Sequence, residues 1–210
     1  MIRSITALRI KESSDELNPP VVTTGIPLAR IPWKRGARDW LALAVATCGV
    51  GYLPLAPGTW GSAVGVGLYL LVNALGVRLV AYGSSRGWSA SALGSSRMSG
   101  LLLIVFALTL AGIWAATRAE RLLGRKDPGA VVIDEVAGQF MTFLFVPADA
   151  GGWAILGGFL AFRAFDIWKP YPIRRLESLE SGLGIMADDL LAGAYAGALM
   201  SLLITIQLWL

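Results

Sequence analysis

The sequence predicts an all-α, multi-helical membrane protein whose polar loops carry an active site. Three observations lead there. Apolar residues make up 55% of the 210 and charged residues only 15%, against about 25% charged in an average soluble domain. The mean hydropathy is +0.63. Uncharged runs of bilayer-spanning length recur along the chain, separated by two polar blocks.

Residues 1–38 stand apart. They hold Arg3, Arg9, Lys11, Arg30, Lys34, Arg35 and Arg38, broken by Asn18-Pro19-Pro20 and Pro27. This reads as a mobile N-terminal extension, with an interfacial helix over 1–12 as its one candidate element. No apolar core of about 7–15 residues follows the first charges, so no cleavable signal is expected. Residues 39–210 are read as the helical membrane domain.

No charged residue lies between Asp39 and Arg78. The two prolines and three glycines of Gly49–Gly58 divide that segment by a loop. Thr59 to Val77 then reads as an apolar helix of about one bilayer thickness. Residues 78–97 are rich in Gly and Ser, carry Arg78, Arg86 and Arg97, and read as a loop. Met98 to Thr117 is the clearest span: twenty uncharged residues between Arg97 and Arg118, or about 30 Å of helix. A charged block, 118–135, ends in Asp134-Glu135. Val136 to Phe162 is apolar but interrupted at Pro147–Gly152, and each half is too short to span. A helical hairpin that turns back is expected. After a second polar block at 163–189, Leu190 to Leu210 is again uncharged and of spanning length. Basic residues at 30–38 put the N-terminal side in the cytoplasm. The first span then exits, 98–117 returns, 118–189 is cytoplasmic, and the last span leaves the C-terminus outside.

The composition also excludes chemistries. The chain has no His, which removes Ser-His-Asp triads, phosphohistidine enzymes, histidine-dependent lipid phosphatases and nearly every zinc site. The single Cys48 allows no internal disulfide. A cysteine-phosphatase loop needs Arg six residues after Cys, where this chain has Pro54. The Asp-x-Asp of haloacid-dehalogenase-type sites and the Asp-Gly-x-x-Ala-Arg of CDP-alcohol transferases are absent. A net charge of +4 in so apolar a chain fits the positive-inside rule better than nucleic acid.

Carboxylates are scarce, so their placement is informative. Five of the fourteen fall in three tight sites, Asp134-Glu135, Asp166 and Asp188-Asp189, each read at the edge of an apolar helix. Ionisable groups near a membrane are costly and point to function. If 136–162 is a hairpin, Asp134 and Asp166 return to one side, and Asp188-Asp189 opens the last helix from that side. Converging carboxylates without histidine favour a hard cation such as Mg²⁺ or Mn²⁺. Among them lie Arg163, Lys169, Arg174 and Arg175, suited to phosphate oxygens. The prolines of Lys169-Pro170-Tyr171-Pro172-Ile173 are expected to fix an extended backbone there. At Pro57-Gly58-Thr59-Trp60-Gly61-Ser62 a Gly-rich entry to a helix offers amides and two hydroxyls to an anion. Metal, cations and membrane together point to a phosphorylated lipid.

These residues resemble the phosphatidylglycerophosphatase A family. The resemblance lies in the 57–62 segment, in Val132-Ile133-Asp134-Glu135-Val136-Ala137-Gly138, in Phe162 to Ile173, and in Gly182 to Gly193. These motifs stand in family order over roughly residues 40–205. The resemblance implies an all-α, Mg²⁺-dependent bacterial inner-membrane phosphatase, its site facing the cytoplasm. It would remove the terminal phosphate of phosphatidylglycerophosphate to give phosphatidylglycerol. Individual roles are inferred from residue type. Asp134, Asp166 and Asp188 are assigned to the metal, directly or through water, and Glu135 or Asp189 to activation of the attacking water. Lys169 and Arg175 neutralise the phosphoryl oxygens, with Arg174 as substitute. Arg163, Thr59 and Ser62 complete the substrate-binding set. The alternatives are a phosphatase for another lipid phosphomonoester and a small cation or lipid transporter. A cation path should avoid the clustered Lys169, Arg174 and Arg175.

Overall fold

The computed structural model describes residues 35–210, and they are helical, with no strand among them. The mobile extension and the 1–12 helix expected from the sequence lie, up to residue 34, outside the described residues. Helix α1 spans Ala37–Thr47, α2 Pro57–Ser85, α3 Ala90–Leu123, α4 Ile133–Thr142, α5 Gly152–Trp168, α6 Ile173–Leu176 and α7 Ser181–Trp209.

Local chemistry sets these ends. The Gly36 amide donates to Asp39 Oδ2 at 2.9 Å, which caps α1. Cys48 and Gly49 then leave the helix with φ of 47° and 72°. Pro57 starts α2 at a position where its missing N–H costs nothing. The Ser89 hydroxyl accepts from the Ala92 amide to open α3, and Gly124 closes it with φ of 69°.

Helices α2, α3 and α7 are long and apolar enough to cross a membrane. Only 11% of the α2 window is buried, against 39% for α7, so α7 runs through the centre and α2 lies outside. Leu71, Leu79, Leu103, Phe106, Leu156, Leu160 and Leu202 stand exposed on the outer faces. Contiguous apolar surface of this extent has lipid as its natural solvent.

The expected hairpin is present, and its first arm, α4, is the core of the fold. Helix α4 is surrounded by α2, α3, α5 and α7, and Val136, Ala137, Gly138, Gln139 and Phe140 are all buried. Tyr69 of α2 stacks on Phe143 at 4.6 Å between ring centroids and meets Phe140 edge-on. Chain entry to α4 is pinned by the Val132 amide, which donates to Ala46 O at 2.8 Å.

Three expectations change. The 78–97 segment is not a loop: α2 continues to Ser85, α3 begins at Ala90, and only 86–89 turns. Gly and Ser weaken a helix in water, but in lipid no solvent competes for the backbone groups. Asp188-Asp189 does not open the last helix, because α7 starts at Ser181. The backbone at Lys169 is not extended. Pro170 disfavours a further right-handed helical residue before it. Lys169 turns out of α5 with φ of 48°, and its amide still donates to Phe165 O at 2.8 Å.

Candidate active site

Four helix segments converge on one cavity of about 320 Å³. The first turn of α2 brings Pro57 and Gly58, and the first turn of α4 brings Asp134 and Glu135. The end of α5 brings Arg163, Asp166 and Lys169, and the third turn of α7 brings Asp188 and Asp189.

Helix α4 explains why its two acids arrive together. Asp134 and Glu135 are its second and third residues, where carboxylates favour the positive end of the helix dipole. Their position against α7 is set by a backbone crossing without side chains. A Cβ on Gly138 would press into the Asp189 carbonyl and the Phe162 ring, and one on Gly193 into the Gly138 carbonyl. That close approach carries Asp189 to the α4 acids. One oxygen each from Asp134, Glu135 and Asp189 lie within 4.8 Å of one another.

The cluster is buried and short of partners. Asp134 is 9% exposed and Asp189 only 3%. Asp134 Oδ1, Glu135 Oε2 and Asp189 Oδ2 have no hydrogen-bond partner among the described residues. Burial pushes the Asp134 carboxyl well above the usual carboxylate range, and the charges of Glu135 and Asp189 add to it. Burial also raises Glu135, partly offset by a hydrogen bond with Asp134 and by the Arg163 charge. Partnerless carboxylate oxygens at this depth are expensive unless a cation neutralises them. An all-oxygen donor set of this kind fits a hard divalent metal.

Two cations face the cluster, Arg163 held by one carboxylate and Lys169 by two. Arg163 donates to Asp166 Oδ2 at 2.6 Å, one turn along α5. Lys169 donates to Asp188 Oδ2 at 2.7 Å and to Glu177 Oε1 at 2.6 Å. Burial works against the Lys169 charge, but these two carboxylates overcome it and hold the ammonium above its ordinary value. Gly58 closes the opposite wall, where any side chain would run into Glu135 and Arg163.

The geometry thus sorts the residues singled out by sequence. Asp134, Glu135, Arg163, Asp166, Lys169, Asp188 and Asp189 share the cavity. The tight acidic trio is Asp134, Glu135 and Asp189, whereas Asp166 and Asp188 face Arg163 and Lys169. Arg174 and Arg175 lie outside it on α6: Arg174 donates to Trp168 O at 3.4 Å, and Arg175 stacks over Tyr171 at 4.9 Å. Thr59 is exposed beside the cavity, and its amide is spent on Ala56 O. Ser62 is buried, its hydroxyl donating to Gly58 O at 2.9 Å within α2. Glu177 and Asp127 were not anticipated. Glu177 fixes Lys169, and Asp127 lines the mouth. Neither lies in a motif, so no local signal marks them.

Comparison with known proteins gives the family. Residues 43–204 match the family model described as phosphatidylglycerophosphatase A. The chain is 35% identical to the phosphatidylglycerophosphatase A of Haemophilus influenzae, over 77% of this chain and 85% of that one. It is 29% identical to the protein of the same name in Escherichia coli, over 78% and 83%. It is also 36% identical, over 73% and 86%, to a Bacteroides thetaiotaomicron protein provisionally named a phosphatidylinositol-3-phosphatase. No solved structure matches it significantly.

Proposed function

The chain belongs to the phosphatidylglycerophosphatase A family and is a phosphoric monoester hydrolase, and from that premise we propose that it hydrolyses the terminal phosphate of phosphatidylglycerophosphate in a Mg²⁺-dependent reaction. The product is phosphatidylglycerol. The site would face the cytoplasm from a bacterial inner membrane, the side to which the basic N-terminal residues assign it. The observation that carries this reading is the buried acidic trio with partnerless oxygens, faced by two cations beside membrane-length helices.

Asp134, Glu135 and Asp189 would hold the metal, which when bound would supply positive charge to the phosphoryl group and lower the pKa of water. Arg163 and Lys169 bring two positive charges to the phosphoryl oxygens, where charge grows in the transition state. Asp166 orients the Arg163 guanidinium, and Asp188 with Glu177 orients the Lys169 ammonium. Glu135 is the least buried of the trio and lies against both Gly58 and Arg163. With one oxygen on the metal, its other oxygen would take a proton from the attacking water. Water adds to phosphorus as its proton passes to Glu135, the bond from phosphorus to the glycerol oxygen breaks, that oxygen takes up the proton to leave as the alcohol, and inorganic phosphate is left among the cations. Gly58 keeps room for the phosphate between α2 and α5.

Phosphate release by detergent-purified protein tests the reading. Release from phosphatidylglycerophosphate with Mg²⁺, lost with chelator and restored by added Mg²⁺, is expected. The Bacteroides relative motivates a second substrate, phosphatidylinositol 3-phosphate. Faster release from that lipid would move the specificity and keep the site. Folded protein that releases no phosphate from either lipid would remove the assignment. Lys169→Gln is expected to lower kcat by about 10²-fold with less effect on KM. Unchanged kcat would leave Lys169 as an anchor for Glu177 and α7 only.

A further inference from the structure

A second cavity, of about 480 Å³, opens between α2 and α3 at the end of the bundle away from the acidic trio. Its walls are apolar: Leu75, Leu79, Leu93 and Ile104, with the rings of Tyr82 and Trp88 towards the 86–89 turn. Among the described residues one charged side chain lines it, Arg97. The Arg97 guanidinium donates to Asn73 Oδ1 at 3.1 Å. Among the described residues no carboxylate lies within ion-pair distance of Arg97, Arg78 or Arg86. A guanidinium has five N–H donors, and an uncompensated one in an apolar wall calls for an anion.

The sequence keeps this end cationic. No Asp or Glu occurs from Trp40 to Ala119, while Arg78, Arg86 and Arg97 all fall there. Arg86 stacks over Tyr82 at 5.2 Å, and Tyr82 lines the same cavity. Among the described residues, the acidic side chain from another element at this end is Asp149, exposed in the α4–α5 turn beside Ala148, whose carbonyl accepts from Asn73. Twenty uncharged residues separate Arg97 from Arg118, about 30 Å of helix. Arg118 lies at the other end, where Glu120 meets Ser181 at the start of α7. The groove therefore opens to the membrane face opposite the acidic trio.

We propose that this groove binds an anionic glycerophospholipid of that leaflet, one acyl chain along the apolar wall and the phosphate on Arg97. A second copy of the chain fits less well. An isologous contact would set this patch against itself, and the patch offers arginines without acids. The binding is separate from hydrolysis, since none of these residues lines the acidic cavity.

Trp88 supplies the test. The full chain is placed in phosphatidylcholine vesicles doped with brominated-chain phosphatidylglycerol or, in parallel, brominated-chain phosphatidylcholine. The Trp88 emission is the difference between wild type and Trp88→Phe. Phosphatidylglycerol is expected to quench it at about tenfold lower mole fraction, the worth of one charge-assisted contact. Arg97→Gln should erase that preference, Arg97→Lys should keep most of it, and phosphate release should be unchanged in both. Equal quenching by the two lipids, or a preference that survives Arg97→Gln, would overturn the proposal. So would a disulfide between two copies through Leu79→Cys in a Cys48→Ala background. The readout needs no turnover, so failure here and failure of the phosphatase assay are distinct results.

Discussion

Asp189→Asn is expected to lower kcat/KM for the phospholipid by about 10²–10³-fold, the loss seen when one aligned electrostatic partner is removed. The same variant should be more heat-stable than wild type in chelator. Asp189 is almost fully buried, its Oδ2 has no hydrogen-bond partner among the described residues, and one of its oxygens lies within 4.8 Å of oxygens of Glu135 and Asp134. Neutralising one of three crowded carboxylates relieves repulsion that only a cation otherwise offsets. Activity and chelated stability therefore move in opposite directions, which a residue of purely structural value would not produce. The effect also ranks the acids. Asp166 touches Arg163 and orients it, so Asp166→Asn should cost less than Asp189→Asn, about tenfold, in phosphate-release kinetics. The reverse order would return the metal to Asp134, Asp166 and Asp188. Direct titration of Mn²⁺ into each variant separates the assignments without turnover: Asp189→Asn should weaken binding, and Asp166→Asn should leave it nearly intact.

The helical class and the cavity's composition were legible because both depend on local signals. Uncharged runs of bilayer length mark α3 and α7, and the Pro-interrupted run at 136–162 marks the α4–α5 hairpin. Scarce carboxylates in an apolar chain mark the site, and all five of those singled out line it. The division of labour among them was not legible. Asp188 and Asp189 are neighbours in sequence, but successive helix positions point about 100° apart. One faces Lys169 and the other the α4 acids. Which is which depends on how α7 is rotated, and that is decided by glycine contacts with α4. Arg174 and Arg175 sit in the expected basic cluster, yet the short α6 turns both outward. The extent of α2 and α3 was missed for a different reason: turn-forming composition was weighed as it would be in water.

Gly193→Ala is the sharpest test of that crossing. The added methyl would land on the Gly138 carbonyl of α4, and backbone cannot swing aside as a flexible side chain can. Helix α7 must move off α4, at a cost of about 1–3 kcal/mol from overpacking. In water-facing helices Gly→Ala usually stabilises by up to about 1 kcal/mol, so the sign itself is informative. Gly67→Ala is the control, on an exposed stretch of α2 where a new methyl meets nothing within 4 Å. It should be neutral or mildly stabilising. For Gly193→Ala the loss of activity should exceed the loss of folded protein. Gly193 lies one turn beyond Asp189 on α7, and Gly138 one turn beyond Asp134 on α4. Prising the glycines apart separates the carboxylates, and misplacement by about 1 Å costs about 10²-fold in rate. Thermal unfolding in detergent, phosphate release and Mn²⁺ affinity report the three consequences. A stable Gly193→Ala protein with full turnover would mean that the α4–α7 crossing is looser than the glycines indicate, and that the acidic trio is assembled by some other constraint.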